Sequence, residues 1–222
     1  MTTVLVTGAN RGIGLEFCRQ YKKLGAKVVA VCRRVSPELA SLQEEVIEGA
    51  DISRAEGRAL VFDRLSRFGT KIDVLVNNAG VARDESLGAM SEDTILEQFQ
   101  VNAVAPLCLT DQLLPHLQGS AKVCLISSRM GSIADNTSGG RYGYRMSKAA
   151  LNMAAVSLAQ DLFSRGIAVG VFHPGFVKTE MTSGRGLLTA EESVTGLIEQ
   201  IRSLKPREKI ALVHTNGDHL PW

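Results

Sequence analysis

Tyr144 and Lys148 stand four residues apart in the stretch YGYRMSKAAL, residues 142–151. On a helix that spacing puts both side chains on one face, one turn apart. A phenol beside an ammonium group has its pKa drawn down, because the positive charge favours phenolate. A tyrosine tuned in this way can pass a proton to or from a substrate oxygen near neutral pH. The run that follows, AALNMAAVSLAQDLFSRGI, is rich in Ala, Leu and Met, which favour helix, and Gly166 is a natural stop. A Tyr-xxx-Lys pair on its own is more often a core-edge tyrosine beside a solvated lysine, so its meaning depends on the elements around it.

Those elements alternate. Residues 3–7 (TVLVT) form a β-branched run and break into GANRGIG at 8–14, then into LEFCRQYKKLG, an amphipathic helix ending at Gly25. Strands are expected at 27–32 (KVVAVC), 45–50 (EVIEGA), 72–76 (IDVLV), 122–126 (KVCLI), 167–172 (IAVGVF) and 209–214 (KIALVH). Short or long helices fall between them at 37–43, 53–68, 92–117 and 190–204; the third is expected to be irregular near Pro106, which removes a backbone donor. Ser91 reads as the cap of that helix, and Thr189 with Glu192 as a capping box for the last one. Alternating strands and helices predict an α/β fold: a Rossmann-type, doubly wound parallel sheet of about seven strands with helices on both faces. No linker, repeat or low-complexity segment divides residues 1–222, so a single domain is expected.

Composition narrows the partners. Twenty-five basic against 23 acidic residues leave a net charge of +2 with no basic block, and aromatic content is 5%. Neither nucleic acid nor an anionic membrane surface is therefore an expected partner. Cysteines 18, 32, 108 and 124 are widely spaced in apolar stretches, which is neither metal spacing nor a disulfide framework. With no apolar run near membrane length and no leader-like start, a cytoplasmic protein with reduced thiols is expected.

TGANRGIG lies between a strand and a helix, the setting in which a glycine-rich turn binds a pyrophosphate. Gly8, Gly12 and Gly14 let the backbone turn and approach, while Asn10, Arg11 and Ile13 fill the turn and the helix N-terminus supplies amide donors. An acid that would bind a ribose 2′-hydroxyl belongs at the end of the second strand, where this chain has Cys32 followed by Arg33. Arg33, with Arg11 reaching the same place, suits a 2′-phosphate through bidentate hydrogen bonds, so NADP(H) is expected over NAD(H). Asp51, next to Ile52 beyond the third strand, is placed to accept from an adenine amino group.

Taken together, TGANRGIG, NNAG at 77–80, Asn102, Ser128, Tyr144-xxx-Lys148 and Pro174-Gly175 resemble, in order and over nearly the whole chain, the short-chain dehydrogenases/reductases. SSRMGSIADNTSGGRYGYRMSKAALNMA, HPGFVKTEM and the terminal GDHLPW are similar to the C-factor and sniffer-like carbonyl reductase branch. The resemblance implies that Tyr144 protonates a carbonyl oxygen as hydride arrives, or acts as base in reverse. It implies that Lys148 lowers the tyrosine pKa and bonds the nicotinamide ribose, that Ser128 holds the substrate oxygen, and that Asn102 supports a water relay. Asn78, Ala79 and Gly80 would lie near the adenosine ribose, and Pro174, Gly175, Val177 and Thr179 near the nicotinamide end. A homodimer or homotetramer, paired through the helices that carry Glu92 and Tyr144, is implied as well. The activity implied is reduction of a small-molecule aldehyde or ketone. Alcohol oxidation uses the same residues, and a C-factor-like signalling protein with little turnover is the other reading.

One departure stands out. Ser128 and Tyr144 are 144 − 128 = 16 residues apart, about three more than is usual in the family, an excess that a loop such as DNTSGGR can absorb. Gly131 favours Ser128 in this register; a different register would put Ser127 or Ser132 in its place. Residues 176–190 are expected to be a short substrate lid, with Met130, Phe176 and Met181 as pocket candidates. His173, beside Pro174-Gly175, is expected to be structural.

Overall fold

The computed structural model describes residues 1–222. Eight strands form one sheet: β1 (Thr3–Thr7), β2 (Lys27–Val31), β3 (Glu45–Ile47), β4 (Ile72–Asn77), β5 (Leu117–Ile126), β6 (Ala168–His173), β7 (Leu212–His214) and β8 (His219–Leu220). Their order is β3-β2-β1-β4-β5-β6-β7-β8, parallel throughout except for β8. Seven helices connect them: α1 (Gly12–Lys23), α2 (Pro37–Ala40), α3 (Ala55–Arg67), α4 (Glu92–Phe99), α5 (Ala105–Gln112), α6 (Tyr142–Phe163) and α7 (Ala190–Ser203). This is the single-domain doubly wound α/β fold.

Strand alternation sorts the core into two layers. Leu5, Val29 and Leu75 face α3, α5 and α6, where Val61, Leu109 and Leu151 are fully or almost fully buried. Val4, Val6 and Ala30 face the other way, onto Phe17 of α1 and Val194, Leu197, Ile198 and Ile201 of α7. Those α7 positions follow helical spacing, one apolar stripe on one face. Both faces of the central strands are therefore dry, which is why they read as unbroken apolar runs. No helix is long and apolar enough to cross a membrane, and all four cysteines are free thiols.

Several boundaries differ from the sequence reading. The helix expected over 92–117 is three pieces: α4, a π-helical turn at Gln100–Val104, and α5. It stops at Gln112 because Pro115 cannot continue it and disfavours the helical region for the residue before it. The chain then enters β5 at Leu117, which pairs with Ile72, so β5 starts five residues earlier than Lys122. β3 is cut short by the turn at Gly49, whose φ is 80°. β8 has no counterpart among the expected strands. It folds back on β7 through Asn216-Gly217, with Gly217 at φ 94° and the His214 amide donating to the Asp218 carbonyl at 2.8 Å. An Asn-Gly pair is the usual signal of such a reversal, but the strand it serves is only two residues long.

Candidate active site

The strand order reverses its direction of growth between β1 and β4, and the carboxyl ends of the strands there open into a cleft of about 370 Å³. β1 ends at Thr7, whose hydroxyl accepts hydrogen bonds from the Asn78 and Ala79 amides at 3.0 and 3.1 Å. The Asn78 side chain donates back to the Thr7 carbonyl at 3.0 Å. The glycine turn and the NNAG turn are thus one unit. Gly8 has φ 65°, and a Cβ there would lie 2.9 Å from the Ala79 Cα; a Cβ on Gly14 would lie 2.1 Å from the Gly8 carbonyl oxygen. No side chain fits at either position.

α1 begins with no side-chain cap and no acid in its first turn. Its first amides are left for an anion. Asn10, Arg11 and Ile13 line the cleft at this end, with Thr179 and Pro174 opposite. At the far end lie Arg33, Asp51, Ile52 and, unanticipated, Ser53 and Arg54. Burial alone would raise Asp51, but hydrogen bonds from the Ser53 hydroxyl (2.6 Å) and amide (3.0 Å), with Arg33 and Arg54 nearby, hold it below the usual carboxylate range. Arg11 departs from the expectation that it joins Arg33. Its guanidinium pairs instead with Glu180 across the mouth of the cleft. Arg33 makes no ion pair, so Arg33 and Arg54 are the two guanidiniums available at that end.

α6 presents Tyr144 and Lys148 to the cleft. Lys148 is 4% exposed, donates to the Ile126 carbonyl at the end of β5 at 2.8 Å, and lies 5.8 Å from the centre of the Tyr144 ring. Burial pulls its pKa down to about 8. Tyr144 itself moves opposite to the expectation. Burial pushes the phenol above its ordinary value, and the nearby Ser128 hydroxyl and the charge of Arg141 recover only part of that. The lysine is turned toward the Ile126 carbonyl, so the phenol feels its burial most.

Ser128 stands two residues past the end of β5, outside the lining of the cleft, and its hydroxyl accepts from the Met130 amide at 3.1 Å. The Ser127 hydroxyl is committed to Asn152 at 2.6 Å, and the Ser132 hydroxyl accepts from the Asp135 amide at 3.1 Å. After Ser128 a short 3-10 turn brings Gly131 against α6, where a Cβ would lie 2.7 Å from the Lys148 carbonyl carbon. That contact fixes the distance between the serine and the helix that carries Tyr144 and Lys148. Asn102 sits inside the π-helical turn, 1% exposed. Its side chain exchanges two 2.8 Å hydrogen bonds with the Val81 backbone and donates to the Ser147 hydroxyl at 3.0 Å. It joins the chain beyond β4, the π turn and α6 just behind Lys148.

The short chain dehydrogenase family model matches residues 2–187. This chain belongs to the short-chain dehydrogenase family. Among curated short-chain dehydrogenase relatives, 1-hydroxy-2-glutathionyl-2-methyl-3-butene dehydrogenase of Rhodococcus sp. (strain AD45) is 37% identical over 226 residues, covering 100% of both chains. C-signal of Myxococcus xanthus is 42% identical over 154 residues, 68% of this chain and 93% of that protein. The crystal structure of the NADPH-bound carbonyl reductase from chicken fatty liver matches with a TM-score of 0.86 at 30% identity, covering 100% of this chain and 99% of that one.

Some expected residues stay out of the short-chain dehydrogenase cleft. Val177 is buried, bridging to Leu188, and with Gly175 it shapes the segment without lining the cavity. Met181 borders the cleft while Met130 and Phe176 do not. His173 also lies outside it. Burial and the neighbouring His214 take His173 down to about 4, and its buried Nδ1 has no partner. Arg54 escaped the sequence reading because it stands at the start of α3, where a basic residue reads as ordinary helix-flanking charge.

Proposed function

We propose that this short-chain dehydrogenase is an NADPH-dependent reductase of aldehydes or ketones, with Tyr144 as proton donor. The observation that carries the reading is the placement of Tyr144 and Lys148 one helical turn apart on the cleft wall, with Lys148 buried against the Ile126 carbonyl at the end of β5. The cleft fits a dinucleotide. Its glycine turn admits only bare backbone, α1 offers uncapped amides, and Arg33 and Arg54 suit a 2′-phosphate where no carboxylate follows β2 to bind a free hydroxyl. When bound, the reduced nicotinamide supplies the hydride.

The rest falls to the chain. Tyr144 faces the cleft and Ser128 follows the end of β5; a carbonyl oxygen that reaches both hydroxyls takes two hydrogen bonds and is held for attack. As charge grows on that oxygen it becomes an alkoxide, a far stronger base than phenolate, and the Tyr144 proton moves to it. A phenol held in its protonated form by burial is suited to giving that proton. The ammonium of Lys148 then stabilises the phenolate left behind. Asn102 anchors Val81 and Ser147 around Lys148, and the irregular π-helical turn that holds it can spare a carbonyl for the water that returns the proton. Residues 176–190 act as the substrate lid, pinned by the Val177–Leu188 bridge and capped by the Thr179–Thr182 box.

The description of the chicken protein as a carbonyl reductase with NADPH bound supports this reading, as does the name of the Rhodococcus relative, a dehydrogenase of a hydroxy compound. The likeness to C-signal favours a second reading, a signalling protein that binds the cofactor with little turnover. The complete and converging set of reactive side chains weighs against it. Exposed apolar side chains on α4 and α6 (Leu96, Phe99, Met146 and Met153) supply the face for a homodimer or homotetramer. The test of the reading is a titration with NADPH and NADH followed by turnover on a panel of aldehydes, ketones and diketones. Tight NADPH binding with carbonyl reduction is expected; binding without turnover on any of them favours the second reading.

A further inference from the structure

The helix that carries Tyr144 enters its first turn in an unusual way. Gly139, Gly140 and Arg141 are all left-handed, with φ of 62°, 65° and 50°, and Arg141, the residue before α6, provides no side-chain cap. A non-glycine residue held there is strained, and such strain persists only where the surroundings over-determine it. The surroundings are a carboxylate 58 residues from Gly143 in the chain. Glu85 is 5% exposed, and its Oε2 accepts a hydrogen bond from the Gly143 amide at 3.2 Å. Its main-chain carbonyl accepts from the Arg141 amide at 2.9 Å, and the neighbouring Asp84 pairs with the Arg141 guanidinium at 2.7 Å.

The other carboxylate oxygen faces α4. Oε1 of Glu85 accepts from the Thr94 hydroxyl at 3.0 Å and from the Gln98 side-chain amide. Gln98, itself fully buried, is fixed in that orientation, because its Oε1 accepts from the Arg83 amide at 2.8 Å. Gly143 closes the arrangement: a Cβ there would lie 2.5 Å from Gln98 Nε2 and 3.0 Å from the Ile95 Cα. The first turn of α6 is thus pressed onto α4 with the Glu85 carboxylate between them.

We propose that Glu85 is the positioning residue for Tyr144, capping the catalytic helix from a distance and setting the register of its phenol relative to the end of β5. Ser128 follows the end of β5, while Tyr144 and Lys148 ride on α6. Their relative placement therefore depends on where the start of α6 is held, and Gly143 is the residue directly before Tyr144. Glu85 touches neither substrate nor cofactor in this role. It holds the start of α6, and with it Tyr144, in register with the end of β5 that Ser128 follows. The kinetic part of this inference rests on the reductase reading; the part concerning the helix does not.

The test is Glu85→Gln, alone and combined with Gln98→Glu. In Glu85→Gln the new amide sets one donor against another, since Gln98 cannot turn without releasing Arg83. In the exchanged pair, the carboxylate now at position 98 accepts both from the Arg83 amide and from the side-chain amide at position 85. It loses only the 3.1 Å bond that the Gln98 amide gives the Thr94 carbonyl, which holds recovery short of complete. The amide at position 85 keeps its oxygen for Gly143. Hydrogen exchange of peptides covering 141–150 is read beside kcat and the NADPH Kd. The single variant is expected to exchange at least about tenfold faster there, with β5 and β6 unchanged. Its kcat is expected to fall about tenfold while the NADPH Kd stays within about twofold, and the exchanged pair to recover both exchange and kcat to within about threefold. Wild-type exchange and kcat in Glu85→Gln would overturn the proposal. Should that variant not fold, the exchanged pair decides: wild-type exchange and kcat support it, and a folded pair with slow turnover and fast exchange overturns it. A wild type that reduces no carbonyl defeats the reductase reading alone, and unchanged exchange in the variant then still overturns the role of Glu85.

Discussion

Lys148 donates to the Ile126 carbonyl at 2.8 Å, so the end of β5 holds the ammonium that stands 5.8 Å from the centre of the Tyr144 ring. One carbonyl is a thin shell for a buried ammonium, and burial accordingly lowers its pKa to about 8. The unfolded lysine keeps its proton up to about 10.4. Between those values the unfolded chain binds more protons than the folded one, so stability rises with pH across the window and the full cost is felt below about 8. Lys148→Met removes that dependence. It is expected to be more stable than the wild type at pH 7, by up to about 3 kcal/mol, with the gap closing toward about pH 10.5, while turnover falls at least about a hundredfold. Urea unfolding of both proteins at several pH values checks this; a variant less stable than wild type at pH 7 contradicts it.

The pH profile of turnover follows from the same pair. Tyr144 is held protonated by burial and Lys148 loses its charge near pH 8. Reduction is expected to be level at neutral pH and to fall above about 8, as the ammonium that stabilises phenolate is lost. Oxidation of the matching alcohol needs phenolate and is expected to rise with pH until that same loss. Profiles of kcat/KM in both directions measure it, and a reduction rate that climbs steadily to about pH 9.5 would refute the assignment.

Arg33 stands at the far end of the cleft without an ion pair, where Arg54 also lines the wall. Arg33→Ala is expected to weaken NADPH binding about tenfold while NADH binding changes less than about twofold, because only the 2′-phosphate is lost as a partner. Arg11→Ala is expected to act differently, since Arg11 is paired with Glu180 across the cleft mouth. Its effect is expected in the release rate of either cofactor. Stopped-flow binding with both cofactors separates the two, and equal losses for NADPH and NADH in Arg33→Ala would sink the selection argument.

Asn102 satisfies both backbone groups of Val81 and the Ser147 hydroxyl while buried. Asn102→Ala strands the Val81 amide and carbonyl, while the Ser147 hydroxyl keeps its bond to the Tyr144 carbonyl at 2.8 Å. An unfolding free energy lower by about 3 kcal/mol is expected from the stranded donor and acceptor. Calorimetry or urea titration reads it. A loss below about 1 kcal/mol would mean that water replaces the side chain at little cost.

Much of this arrangement is legible in the sequence because the signals are local. Strand, glycine turn and helix follow one another in residues 3–23, and Tyr144 and Lys148 need only helical spacing to share a face. Gly131 favours Ser128 over Ser127 in the sequence, while the close approach of Gly131 to α6 is seen only in the structure. Tertiary relationships are not legible. The Glu85 carboxylate meets Gly143 across 58 residues, and a glutamate in ARDESLG reads as solvated loop. Leu117 enters β5 early because Ile72 is there to pair with it, which no local pattern announces. Arg11 looks equivalent to Arg33 in the sequence, but Glu180, 169 residues on, takes its guanidinium. The direction of the Tyr144 shift depends on burial, and spacing alone carries only the charge of the lysine.

The most direct measurement is NADPH consumption, followed by its absorbance band, in the wild type and in Tyr144→Phe with the best carbonyl substrate from the panel. Phenylalanine keeps the ring and removes the proton. Wild-type turnover, with a loss of at least about a thousandfold in the variant and an NADPH Kd within about twofold, is the predicted result. A variant that still reduces the carbonyl at a rate close to wild type would contradict the account.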